Sequence, residues 1–200
     1  MQKIINLVEE LKKSKIKPIV NKRMQEFEKI PRDFESLFRE LCFCILTAGT
    51  SAELGIKTIN HLGDAIFDGN EKEIQQKLKE VYRFHTLRAS YLFNARSSFK
   101  KINLYDKDVR SKLVQNVKGL GMKEASHFLR NIGFKDYAII DFHIVDILVE
   151  NGLIEKPKTI TPKKYLEIEN VLRKLAQKTN TSLGELDSYL WYNETGKVLK

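Results

Sequence analysis

Apolar residues recur three and four positions apart along nearly the whole chain, and no run alternates strictly enough to mark a half-buried strand. The pattern predicts an all-α fold. Short helices are expected over residues 3 to 13 and 22 to 29, on either side of Pro18, with Pro31 ending the second. Phe34, Leu37, Phe38, Leu41, Ile45 and Leu46 then mark a strongly buried helix. Thr50-Ser51 is placed to cap a helix running to about Phe67, Asp68-Gly69-Asn70 reads as a turn, and Glu71 to Val81 is amphipathic.

Residues 83 to 101 form a further helix, and residues 108 to 116 a short one that stops at Gly119-Leu120-Gly121. Met122, Ala125, Phe128, Leu129 and Ile132 give the next helix one apolar face, ended by Gly133. Ala138 to Ile140 is compatible with a strand. A helix with Asp141 as N-cap and Phe142, Val145, Leu148 and Val149 on its apolar side is the preferred reading. Thr161-Pro162 opens a helix to about Lys178, and Ser182 with Glu185 forms a capping box for a last helix that carries Trp191 and ends near Gly196.

With 200 residues and 42% hydrophobic content the chain can bury a real core, as one large or two small domains. No stretch approaches eighteen consecutive apolar residues, and the start, MQKIINLVEELKKSK, mixes charged with apolar positions, unlike a signal peptide. A soluble protein of the cytoplasm is expected, with no membrane contact. Cys42 and Cys44 are too few and too close for a disulfide framework or a four-ligand metal site and read as buried thiols. The formal charge of +9 favours a polyanionic partner.

Two segments suit nucleic acid. Between residues 83 and 101, Phe84, Tyr91, Phe93 and Phe99 interleave with Arg83, Arg88, Arg96, Lys100 and Lys101, which fits either a nucleic-acid surface or an ordinary amphipathic helix with solvated arginines. The Gly-apolar-Gly turn lets two helices reverse tightly and leaves backbone N–H groups open to a phosphate near the positive end of the next helix. Residues 118 to 135 hold four Lys and Arg against one Glu, a net +3 that agrees with an anionic guest. A tight turn in a helical bundle accounts for the spacing equally well.

Lys123 stands in the first helical turn, where a cation opposes the helix dipole by about 0.3 to 1 kcal/mol. Chemistry supplies a reason: that potential, with desolvation, favours a neutral amine. An unperturbed lysine is less than about 0.1% neutral at pH 7, so a nucleophilic one must be shifted down.

Gly119-Leu120-Gly121-Met122-Lys123, followed by Ile139-Ile140-Asp141-Phe142-His143, resembles the helix-hairpin-helix plus Asp signature of DNA base-excision glycosylases. ILTAGTSAELGIKTINHL, residues 45 to 62, and the end WYNETGKVLK resemble the compact prokaryotic and archaeal type of 8-oxoguanine DNA glycosylase/AP lyase, over nearly the whole chain. The resemblance implies a two-lobed helical glycosylase, its hairpin motif at about residues 108 to 133. It also implies that Lys123 attacks the sugar C1′ and expels the oxidised base, with Asp141 activating the amine. The Schiff base then permits strand cleavage by β-elimination without an organic cofactor. The lobes would meet at a cleft where Lys123 and Asp141 converge on double-stranded DNA containing 8-oxoguanine. Gly119 and Gly121 would hold backbone phosphate, and the hairpin carbonyls a monovalent cation.

Trp191 and Phe84 are candidates for stacking on the flipped base, and the carboxylate of the last residue, Lys200, for recognising 8-oxoguanine at N7. A monomer working at the nucleoid is expected. Asp146 departs from the family, many members of which carry a basic residue there. The absence of a four-cysteine array disfavours the iron-sulfur relatives. Three alternatives stay open on the sequence: a lysine-dependent glycosylase for another base, a noncatalytic helix-hairpin-helix DNA-binding module, and a helical protein-interaction domain with no nucleic acid.

Overall fold

The computed structural model describes residues 1 to 198 and is helical throughout, as the periodicity predicts. Lys200 lies outside the described residues. The chain divides into two compact units, one made of residues 1 to 29 with the chain from Leu129 onward, the other of Ile30–Phe128.

The second unit is built around α3 (Phe34–Thr47), following α1 (Gln2–Lys13) and α2 (Ile16–Glu28) of the first unit. Asp33 caps α3 by accepting the Ser36 N–H at 2.8 Å. Phe38, Leu41, Cys42, Cys44, Ile45 and Leu46 are fully buried, each apolar side chain of Leu or Phe size worth about 1.5–3 kcal/mol. Burial also pushes the Cys42 thiol pKa far up, so it is an inert packing group. Against α3 pack α4 (Ala52–Leu62) and α6 (His85–Phe99), with α5 (Glu71–Val81) against α6 and α4. Asn70 and Glu73 form a complete capping box on α5. Then come α7 (Val109–Asn116) and α8 (Met122–Asn131), and the division between units falls within α8.

The first unit holds α1, α2, α9 (Phe142–Glu150), α10 (Pro162–Lys178) and α11 (Leu183–Thr195). Val8, Val20, Leu148, Leu175 and Leu186 lie in its core. Arg130 is buried there, paired with Asp187 at 2.8 Å and standing over the Phe27 ring. The capping box at Ser182 and Glu185 and the left-handed stop at Gly196 stand where the sequence put them.

Three expectations are corrected. α2 begins at Ile16, so Pro18 lies inside its first turn, where the missing N–H would have had no helical partner. The helix expected to reach Phe67 stops at Leu62, because Gly63 turns to φ +55° and the chain continues as a single 3₁₀ turn, Gly63–Ile66. Phe142, expected on the apolar side of α9, is 68% exposed while Val145 and Leu148 are buried.

Candidate active site

The hairpin joins α7 to α8. The Val117 N–H closes α7 on the Leu113 carbonyl, and the Leu120 N–H bonds back to the Val117 carbonyl. Leu120 is buried, so the apolar residue between the glycines is the anchor of the turn. Gly119 has φ +92°, and a Cβ there would stand 2.5 Å from the Tyr91 ring of α6. Only glycine meets both conditions.

Gly121 precedes α8, and its N–H donates to the Glu124 carboxylate at 3.1 Å. One of the two glycine donors expected to face phosphate is thus occupied from within the chain, whereas the Gly119 N–H has no partner among the described residues. The carbonyls of Lys118, Gly119 and Leu120 likewise accept no hydrogen bond among the described residues. Uncharged oxygens of this kind fit a monovalent cation.

Lys123 occupies the first turn of α8, half-buried, with no ion pair or hydrogen bond among the described residues. No carboxylate among the described residues holds its amine. The net charge of the hairpin segment is less available than the sequence suggests. Arg130 is paired with Asp187, and Lys135 with Glu28, which raises the lysine's pKa. Lys118 and Lys123 have no ion pair among the described residues.

Asp141 belongs to the first unit and caps α9, accepting the Ile144 N–H on Oδ1 at 3.0 Å and leaving Oδ2 without a hydrogen bond among the described residues. The stretch before it belongs to no helix and pairs with no strand among the described residues. Its backbone is held by α10 instead: the Ala138 N–H donates to buried Glu169, the Ile140 N–H to the Tyr165 hydroxyl, and that hydroxyl donates to the Ala138 carbonyl at 2.7 Å. Buried backbone groups need partners, and here two side chains supply what a sheet would have given. They also set the position from which Asp141 starts its helix.

Trp191, half-buried on α11, meets the edge of the His143 ring at 5.4 Å, and His143 lies 4.0 Å from the exposed Phe142 ring. Three aromatic rings thus stand in series beside Asp141, all within the first unit. Phe84, in the second unit, is half-buried just before α6, with the Arg83 guanidinium 4.4 Å from its ring centroid and Tyr82 edge-on. The other arginines of that segment are engaged internally. Arg88 donates to the Ala48 carbonyl, and Arg96 to the carbonyls of Ile66 and Gly69. Both tie loops to α6, so they serve the fold, and they are not the solvated arginines of the amphipathic-helix reading.

A family model described as 8-oxoguanine DNA glycosylase matches residues 20 to 181. The chain belongs to the 8-oxoguanine DNA glycosylase family. The 8-oxoguanine DNA glycosylase/AP lyase of Korarchaeum cryptofilum is 48% identical, the alignment covering 98% of each chain. The crystal structure of the Methanocaldococcus jannaschii 8-oxoguanine glycosylase/lyase in complex with a 15-mer DNA containing 8-oxoguanine superposes with a TM-score of 0.93. It is 48% identical and matches over 98% of this chain and 99% of that one. The 8-oxoguanine DNA glycosylase of Thermotoga maritima superposes at 0.92 with 40% identity, over 100% of this chain and 99% of that one.

Within this 8-oxoguanine DNA glycosylase family member, the atypical Asp146 is neutralised locally: Lys156 binds its carboxylate at 2.8 Å, which holds the lysine pKa up. Sequence reasoning missed Tyr165 and Glu169, the residues that position the Asp141 segment. The signal was a buried polar pair on α10, visible only as Tyr and Glu on the apolar stripe with Ile168 and Leu172.

Proposed function

We propose that the protein is a bifunctional DNA repair enzyme that excises 8-oxoguanine from duplex DNA and then cleaves the abasic strand. The observation that carries this reading is Lys123: a half-buried amine without a carboxylate partner among the described residues, presented in the first turn after a glycine hairpin. Its neutral Nζ attacks C1′. A bond forms between Nζ and C1′, the N-glycosidic bond breaks, and the bonding pair leaves with the base, which takes up a proton. Asp141, anionic and fixed by its capping bond, accepts the amine proton and stabilises positive charge on the sugar. Ring opening gives the Schiff base. Loss of a C2′ proton then expels the 3′ phosphate by β-elimination, and water releases Lys123.

The Gly119 N–H and the positive end of α8 hold backbone phosphate, a contact indifferent to sequence. Lys118, Gly119 and Leu120 would hold a monovalent cation through their carbonyls, which would brace the turn. Trp191 and Phe84 receive the flipped base on their ring faces, and Lys200 supplies an acceptor for the N7 hydrogen that distinguishes 8-oxoguanine from guanine. The enzyme acts as a monomer on the chromosome in the cytoplasm; no helix among the described residues is long and apolar enough to cross a membrane.

Duplexes carrying 8-oxoguanine, incubated with the enzyme and borohydride, test the reading. A covalent protein–DNA adduct is expected with the native enzyme and none with Lys123→Gln. A folded native enzyme that forms no adduct contradicts it. Deleting Lys200 should impair 8-oxoguanine excision more than cleavage of a preformed abasic site; equal loss of both would remove the tail from recognition.

A further inference from the structure

Residues 12 to 29 carry seven Lys and Arg against two Glu, a net +5 in the same length of chain as the hairpin segment with its +3. The structure shows which of these charges are free. Lys12 is paired with Glu9 and donates to the Thr179 carbonyl, and Arg23 is paired with Glu26. Glu28, the other acid, is bound by Lys135. That leaves Lys13, Lys15, Lys17, Lys22 and Lys29, all exposed and without an ion pair among the described residues.

Their arrangement is regular. Lys15 immediately precedes α2, Lys22 lies within it and Lys29 is its C-cap, so the three recur every seven residues along one face. Pro18, Ile19, Gln25 and Glu26 share that face and are exposed too, Ile19 at 47%, with the Glu26 carboxylate taken up by Arg23. Lys13 and Lys17 flank the two-residue corner at which α1 gives way to α2. Seven residues of helix rise about 10.5 Å, so the stripe runs about 21 Å from Lys15 to Lys29. The duplex advances about 3.4 Å per base pair along its axis, so a row of this length spans about six base pairs of one side of a duplex. Like charges held in a row repel one another in the free protein, and a polyanion relieves that repulsion.

We infer that the exposed lysine stripe of α2, Lys15, Lys22 and Lys29, is a second contact for the DNA backbone, additional to the hairpin and indifferent to sequence and to damage. This rests on the reading of the protein as a DNA enzyme. The stripe would supply affinity for undamaged duplex, from which the lesion is then sought.

The test is the salt dependence of binding to undamaged duplex by the full-length enzyme and by its Lys15→Gln/Lys22→Gln/Lys29→Gln variant. Each phosphate contact contributes about 0.9 to the slope of log affinity against log salt concentration, so the variant's slope should be shallower by about 2 to 3. The triple Lys→Arg variant keeps the charge and should keep the native slope. An unchanged slope in the Gln variant overturns the inference, as does an equal loss in the Arg variant, which would mark a structural role. Native enzyme that binds no DNA at all would overturn the functional reading instead, so the two failures are distinguishable.

Discussion

Two helix N-termini carry the proposed chemistry, and they are built in opposite ways. α9 begins at Asp141, an anion at the positive end of a helix, hydrogen-bonded to its third residue and backed by two side chains of α10. Charge, cap and dipole agree there. α8 begins with Lys123, a cation at the same kind of end, and only Glu124, bonded to the Gly121 N–H, offsets it. In the proposed mechanism the carboxylate therefore serves stability and chemistry together, whereas the lysine serves chemistry at some cost to the helix. Substitutions at the two ends should separate these roles.

The largest effect is expected at Lys123. Lys123→Gln should lower single-turnover excision by about a thousandfold or more, since no other group replaces the nucleophile. Thermal unfolding should show the same fold at native stability or up to about 1 kcal/mol above it, because a charge opposing the dipole is gone. A clear loss of stability would break the contrast with Asp141. At Asp141 the isosteric change keeps the cap, because Asn caps as well as Asp. Asp141→Asn should reduce excision about a hundredfold or more while leaving stability within about 0.5 kcal/mol, and Asp141→Ala should additionally cost about 1 kcal/mol. Equal activity of native and Asn enzymes would leave Asp141 as a cap alone.

Gly119→Ala should destabilise by about 2 kcal/mol or more, through the left-handed backbone and the approach to Tyr91. Combining it with Tyr91→Ala should restore the room but not the backbone preference, so only part of the loss should return in denaturant titrations. Tyr165→Phe removes the hydroxyl that serves Ile140 and Ala138 and should cost about 1–3 kcal/mol. Excision should fall with it, since the chain leading into Asp141 loses its tie. The smallest change is Glu124→Ala, which frees the Gly121 N–H. About 0.5–1 kcal/mol of stability should be lost, while DNA affinity, read by fluorescence anisotropy, should be unchanged or tighter because a donor and the dipole are uncovered.

The caps explain why so much of the fold was legible in the sequence. Ser51, Asp141, Thr161 and Ser182 are local signals, each acting within three residues, and each stands at the start of a helix as expected. Pro18 misled because proline stops a helix interior but is harmless in a first turn, and sequence alone does not say which turn it occupies. The charges misled for a different reason. Arg130 and Lys135 look like hairpin cations by sequence distance, yet their partners, Asp187 and Glu28, are remote in the chain. The Ala138–Ile140 stretch resembled a strand because its residues are apolar and two are β-branched, and only the tertiary fold shows α10 side chains holding its backbone in place of a neighbouring strand. At the candidate site the glycines, Lys123 and Asp141 were visible as a spaced motif, while Tyr165 and Glu169 were indistinguishable from ordinary helix residues.

The most direct test of the central claim is to trap the enzyme on 8-oxoguanine duplex with borohydride, digest the adduct and locate the modified residue by mass spectrometry. The account predicts deoxyribose attached to the peptide containing Lys123, with Lys118, four positions before the start of α8 on the same basic segment, unmodified. Attachment at Lys118 or any other amine, with Lys123 intact, would contradict it.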